Sequence, residues 1–266
     1  SPLALDILSK AARAVAYKWE QSGATSSLVV YAKAVGEKGD IKIMDKLCKT
    51  IIANCNDRNP IQCKIAALEI LVNKYGYEAM PYLIKAAQHS DKSYRNAAFN
   101  FSLAIPNDAV TGTWIKYYPK ALPAVKPEII YMLGIRKDKA SLALVSASLS
   151  DNDINVRREA AAAIVKINGK ESIPSLIGYL LKFTGSEDQE TAKSALMTVL
   201  DSKSMKLLIP VLNDGAVAAK KSAIELMAWG KGKEYFVEVL PYTSSGEEIV
   251  KNAAYKALAD LASPAD

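Results

Sequence analysis

A single histidine, three cysteines and two glycine–lysine turns are the groups in this sequence best suited to catalysis or ligand chemistry. His89 stands beside Ser90 and Asp91, with no serine or cysteine nucleophile in a recognisable motif near it. General acid–base work needs a base within hydrogen-bond reach of a reacting group, so His89 reads as a turn or capping residue. One imidazole also excludes zinc sites built on several histidines. Gly230-Lys231-Gly232-Lys233 and Asn168-Gly169-Lys170 put lysine beside glycine, but without the Gly-x4-Gly-Lys-Ser/Thr spacing that cradles phosphate. The chain has no dinucleotide fingerprint, HExxH, CxxC or GxSxG. No catalytic, cofactor-binding or metal-binding residue is therefore assigned, no cofactor is expected, and the protein is not expected to be an enzyme.

The remaining chemistry is charge. Thirty-four basic residues face 28 acidic ones, for a net +6. That excess is mild, and dedicated nucleic-acid binders concentrate more charge, so nucleic acid is not the expected partner. No apolar run reaches the roughly 18 residues of a membrane span. Half of the 266 residues are hydrophobic and 8% aromatic, a folded globular balance. Thirteen glycines and 11 prolines are too few for the many turns of a sandwich or barrel.

Helices must position whatever the chain presents. Small-residue segments recur around Ala66, Ala98, Ile130, Ala160, Ala195, Ala223 and Ala254, at steps between 28 and 35 residues. Each has an apolar partner segment upstream, as at 79–84, 172–177, 204–209 and 234–237, with apolar residues three and four apart. Pro81 and Pro174 fall where a first helical turn tolerates a missing N–H. Asp and Ser in the turns between, such as His89-Ser90-Asp91 and Asp151-Asn152-Asp153, suit N-caps. The unit is a helical hairpin of about thirty residues. Small anchors let neighbouring hairpins approach, and one hairpin alone cannot bury its apolar faces. Residues 1–58, helical by pattern at 3–19, 26–35 and 41–55, are expected to be an N-terminal cap. Residues 59–262 are expected to carry the repeats in one continuous array, and 263–266 to begin a linker.

Ile173-Pro174-Ser175-Leu176-Ile177 and Asp151-Asn152-Asp153-Ile154-Asn155-Val156-Arg157-Arg158-Glu159-Ala160-Ala161 resemble the HEAT repeat: a proline-bearing first helix, an aspartate-rich turn, then Val-Arg and paired alanines. The resemblance covers residues 60–261. It implies an all-α fold, a right-handed α-α superhelix of about seven hairpins with the N-terminal cap. It also implies a non-catalytic interaction module with a concave surface for a protein partner, within a larger bacterial protein. Lys126-Pro127-Glu128 departs from Val-Arg, so the third unit is expected to be distorted. The lysine-rich style and clustered cysteines further resemble HEAT regions of gut-bacterial envelope proteins that precede a 3-keto-disaccharide hydrolase-type domain. That implies a carbohydrate-associated envelope module as an alternative, a further domain after Asp266, and an envelope or secreted location over a cytoplasmic one. A third reading is a HEAT-like DNA glycosylase for alkylated bases. The chain starts Ser1-Pro2-Leu3, without initiator Met or signal peptide, and is expected to be mature, trimmed or excised.

Arg95, Arg157 and Lys251 occupy the Val-Arg position and are expected to form a ladder of salt bridges and caps. Two residues before each anchor stand Lys64, Asn96, Glu128, Arg158, Lys193, Lys221 and Asn252. If the anchors face the partner helices, this row lines the concave side, with Arg158, Lys193 and Lys221 as its cationic core. Trp19, Trp114 and Trp229 read as packing residues, except that Trp229, just before Gly230, is expected to protrude and join the strip.

Cys48 and Cys55, seven apart on one helix, lie about 10 Å apart along its axis, beyond disulfide reach. Cys55 and Cys63 flank the turn at 56–60, where Pro60 is expected to open the next helix, and sit at the limit of bridging geometry. A bridge there would argue for an exported protein; the preferred reading is reduced, buried thiols acting as small apolar residues. Intact-mass spectrometry without reductant is expected to show three alkylatable thiols after unfolding. A mass two hydrogens lighter would establish the bridge instead.

Overall fold

The computed structural model describes residues 2–18, 20–55 and 61–262. Trp19, the 56–60 turn with Pro60, and residues 263–266 fall outside them. The fold is all-α: 81% of the structure is helical, and no strand occurs among the described residues. The chain divides into two compact units, Ser1–Val125 and Lys126–Asp266.

The first unit holds α1 (Pro2–Ala14), α2 (Ala24–Glu37), α3 (Ile41–Asn54), α4 (Ile61–Tyr75), α5 (Met80–Ala86), α6 (Lys92–Ala104) and α7 (Ala109–Tyr117). The second holds α8 (Lys126–Arg136), α9 (Leu142–Ser148), α10 (Ile154–Asn168), α11 (Ile173–Lys182), α12 (Ser186–Met197), α13 (Ile209–Asp214), α14 (Val217–Trp229), α15 (Phe236–Val239) and α16 (Glu248–Leu261). Even-numbered helices pack on one another within each unit: α2 on α4 and α4 on α6, then α8 on α10, α10 on α12, α12 on α14 and α14 on α16.

Local chemistry sets the boundaries. Asp91 accepts hydrogen bonds from the Ser93 and Tyr94 amides, and Asp153 from the Asn155 amide, capping α6 and α10. α1 stops at Ala14 because Ala16 and Tyr17 take left-handed conformations, φ +50° and +55°. After α4 and α10 the chain turns through Gly76 and Gly169 at positive φ into a 3-10 turn that leads to the next helix. Pro81, Pro174 and Pro210 then sit in the first turns of α5, α11 and α13.

Burial sharpens the repeat. Ala67, Ala98, Ile129, Ala160, Ala192, Ala223 and Ala254 expose 0% of their surface and stand 31, 31, 31, 32, 31 and 31 residues apart. On the first helices Leu83, Trp114, Val145, Leu176, Leu208 and Val239 are likewise fully buried, at the same steps. The extra residue falls between Leu176 and Ala192, the only stretch common to both longer steps, and α11 is the longest of the first helices from α5 onward. The expected anchors Ala66, Ile130 and Ala195 are therefore corrected to Ala67, Ile129 and Ala192. The error arose because these helices bury residues on several sides, so a neighbouring alanine or isoleucine satisfies the same pattern. α3 keeps the register too: Cys48 and Cys55, both buried, stand 31 residues before Ala79 and Ala86. The third repeat keeps its register despite Lys126-Pro127-Glu128, although 3-10 turns at Tyr118–Lys120 and Pro123–Val125 precede α8.

The three thiols are free; Cys48 and Cys55 are buried and Cys63 half-buried. Burial pushes the Cys48 and Cys55 thiols up to about 12, so both are protonated at neutral pH.

α8 and α10 approach closely at Gly134. A β-carbon there would lie 2.7 Å from Ala163 Cβ and 2.9 Å from its Cα, inside van der Waals contact with backbone. Gly134→Leu and Ala160→Leu are each expected to lower unfolding free energy by ~1–3 kcal/mol or more. Ala162→Leu, on the exposed side of the same helix, is expected to change it little. Urea denaturation of the three variants checks the register directly.

Candidate binding groove

The side chains three residues before the corrected anchors are Lys64, Arg95, Lys126, Arg157, Gln189, Lys220 and Lys251, so the Val-Arg ladder is more complete than the sequence pattern indicates. Arg157 shows what the position does. Its Nη1 donates to the Asp151 and Asn152 carbonyls of its own turn, at 2.8 and 3.0 Å. Its Nε and Nη2 grip Asp188 on α12 at 2.8 and 2.9 Å, and its plane lies 4.3 Å from the Phe183 ring centre. The Tyr179 hydroxyl also donates to Asp188. Arg95 donates to the His89 and Ser90 carbonyls. Gln189 repeats the device without charge: Nε2 donates to the Leu180 and Phe183 carbonyls, and Oε1 accepts from Ser222 on α14. The ladder ties each of these helices to its own turn and, at Arg157 and Gln189, to the next repeat.

His89 is a turn residue. Its Nδ1 accepts from the Asp91 amide at 3.0 Å, its ring meets Tyr94 edge-on, and Nε2 lies 3.3 Å from Lys64 Nζ. Burial, then the Lys64 charge, lowers the imidazole's pKa, keeping it neutral. Among the described residues no group of three His, Cys, Asp or Glu side chains could hold a metal ion.

A groove of about 650 Å³ opens between α10 and α12. Its floor is Ala161, Ala162, Val165 and Ala195; Arg158 and Lys166 on α10 and Glu187 and Glu190 on α12 rim it. Side-chain volume explains the hollow. The residue after the anchor is Leu68, Phe99 or Ile130 in the three preceding repeats and alanine at 161; the next is Tyr131 on α8 and alanine at 162. A second hollow of about 460 Å³ between α12 and α14 shares Glu190 and includes Lys221 and Ile249.

The structure disperses the expected binding row. Arg158, Asn96 and Asn252 are exposed, Glu128 and Lys221 half-buried, and Trp229 half-exposed at the end of α14. Lys64 and Lys193 are buried. In the corrected register Lys193 follows its anchor, and its ammonium is held by Glu190 and by Glu225 of the next repeat. Lys221 Nζ lies 3.5 Å from the same Glu225, and Arg158 pairs with Glu187 at 3.0 Å. Arg158, Lys193 and Lys221 are thus matched by acids, and Lys64 lies against His89 and the Tyr94 ring, so the row is not gathered into a positive strip. Glu187, Glu190 and Lys166 are the rim residues that sequence reasoning missed; Glu190 stands two before Ala192 and was concealed by the misplaced anchor.

The family model for HEAT repeats matches residues 113–197. These residues are HEAT repeats. The span includes α10, α11 and α12 and all of the groove lining except Thr198. The X-ray structure of YibA from Escherichia coli is similar at a TM-score of 0.45 and 18% identity, over 92% of this chain and 87% of that one. No curated protein matches the chain. The likeness to envelope proteins finds no support in these comparisons.

Arg157 and Asp188 are both almost fully buried, and removing one partner of a buried pair strands the other at a cost of ~3–5 kcal/mol. Asp188→Ala is expected to destabilise by that order. Burial alone would raise the Asp188 carboxyl, but hydrogen bonds from Arg157 and Tyr179 outweigh it and hold the group below its ordinary 3.8. A carboxyl depressed in the folded state stabilises in full above its unfolded pKa and loses that stabilisation as pH falls through the folded one. Acid titration of unfolding free energy should therefore show a drop below pH 3.8 that Asp188→Asn flattens.

Proposed function

We propose that the groove between α10 and α12 seats an amphipathic segment of a partner protein, and that the chain acts without catalysis. HEAT repeats build α-solenoids, a protein-interaction architecture, and among the described residues no helix is long and apolar enough to cross a membrane. The observation that carries the reading is the groove itself: a solvent-open floor of small apolar side chains with charges of both signs on its rim. Small side chains leave room for those of a partner, and the rim sets orientation more than affinity. The Arg158–Glu187 pair is exposed on both sides, so its worth is small and either charge can be redirected to a ligand.

A photoreactive amino acid at position 162 tests this in cells, with exposed Lys206, in the 3-10 turn before α13, as the control site. One protein adduct is expected from position 162 and none from 206. Ser194→Arg, on the exposed side of α12, should fill the groove and cut the adduct roughly tenfold, the loss typical of a hot spot, with helicity unchanged. Equal labelling from both positions, or labelling indifferent to Ser194→Arg, would move the site to another face.

A further inference from the structure

Lys166 stands apart from the other charges of the groove. Arg158 is paired with Glu187, and Glu190 with Lys193. Lys166 meets no opposite charge among the described residues; its ammonium lies over the Tyr131 ring of α8, 5.1 Å from the ring centre. Tyr131 is 52% exposed, and its hydroxyl has no hydrogen-bond partner among the described residues. Two donors without an acceptor, one of them charged, therefore stand at one end of the hollow.

The acids are at the other end. Lys166 follows Ala160 as Thr198 follows Ala192, so Lys166 is level with Thr198. Thr198 lies about 12 Å along α12 from Glu190, and Glu187 is farther still. A negative group on a partner is thus attracted at the Lys166 end and repelled at the opposite one.

Shape limits what can carry that group. The lining of α12 runs from Glu187 to Thr198, about 16 Å of helix. Lining residues on both walls recur three and four apart, as at Ala161 and Val165 on α10 and at Glu190, Ser194 and Thr198 on α12. The side-chain ridges of a third helix fit between such rows, and about three turns match the groove's length.

We propose, resting on the groove as the docking site, that its occupant is a helix of about three turns with an aspartate or glutamate at one end. The Lys166 ammonium and the Tyr131 hydroxyl receive that carboxylate, which fixes the direction of the segment along the groove.

Fluorescence anisotropy of the full chain tests this with two labelled helical peptides of about 14 residues. Both are amidated, so neither has a terminal carboxylate, and both carry leucines three and four apart on one face. They differ in one residue of the last turn, glutamate or glutamine, where the helix dipole adds to a negative charge. The glutamate peptide is expected to bind about fivefold more tightly, as for a partly exposed ion pair, and the difference should shrink as salt rises. Lys166→Gln should abolish the preference, Lys166→Glu reverse it and Tyr131→Phe narrow it. Helicity should stay unchanged, since both positions are exposed. Ser194→Arg should weaken both peptides alike. Equal affinities, or a preference unmoved by Lys166→Gln, overturn the carboxylate even while Ser194→Arg blocks both peptides. If neither peptide binds but the adduct from position 162 still forms, the helical occupant is overturned and the groove stands. Peptide binding indifferent to Ser194→Arg, or the absence of both binding and adduct, overturns the groove as the site.

Discussion

Two helices can approach only as closely as the side chains between them permit, and in this protein that distance is set at one position per repeat. From Ala67 to Ala254 the position is small, apart from Ile129, and at every occurrence it is withdrawn from solvent. Gly134 against Ala163 takes the approach to backbone contact. Helices held this close must keep step, and the 31-residue spacing follows: an added residue has to be absorbed in a turn. The single 32-residue step does so around the α11–α12 turn, leaving the buried positions on either side undisturbed.

Close packing also decides what the polar groups do. Arg157, Gln189 and Lys193 lie where neighbouring repeats meet, and burial there is tolerable only if every donor finds an acceptor. Turn carbonyls, Asp188 and Glu225 supply them. Side chains that read as a basic surface are thereby spent on internal attachment. The groove is the complement of this arrangement, a place where Ala161 and Ala162 stand in for larger residues.

The hairpins, the aspartate caps at Asp91 and Asp153 and the first-turn prolines were legible in the sequence because each has a local cause acting within a few residues. The register was not. Paired alanines at 66–67 and paired isoleucines at 129–130 satisfy a helical period equally well, and only the neighbouring helix distinguishes them. One turn of error at Ala195 was enough to present Lys193 as a surface cation and to hide Glu190. The groove was likewise illegible, since it arises from a deficit of volume relative to other repeats, which becomes visible only once the repeats are aligned correctly.

The hydrogen bonds and ion pairs that join neighbouring repeats share a scale. Tyr75 to Asp45, Arg157 to Asp188, Lys193 to Glu225, Ser222 to Gln189 and Tyr242 to Leu212 each span between 30 and 33 residues. Closing so short a loop costs little entropy, and the cost does not grow along the chain. Any two adjacent hairpins can therefore serve as a starting nucleus, with order spreading outward one neighbour at a time. Emerging from a ribosome, the chain would have no distant segment to wait for.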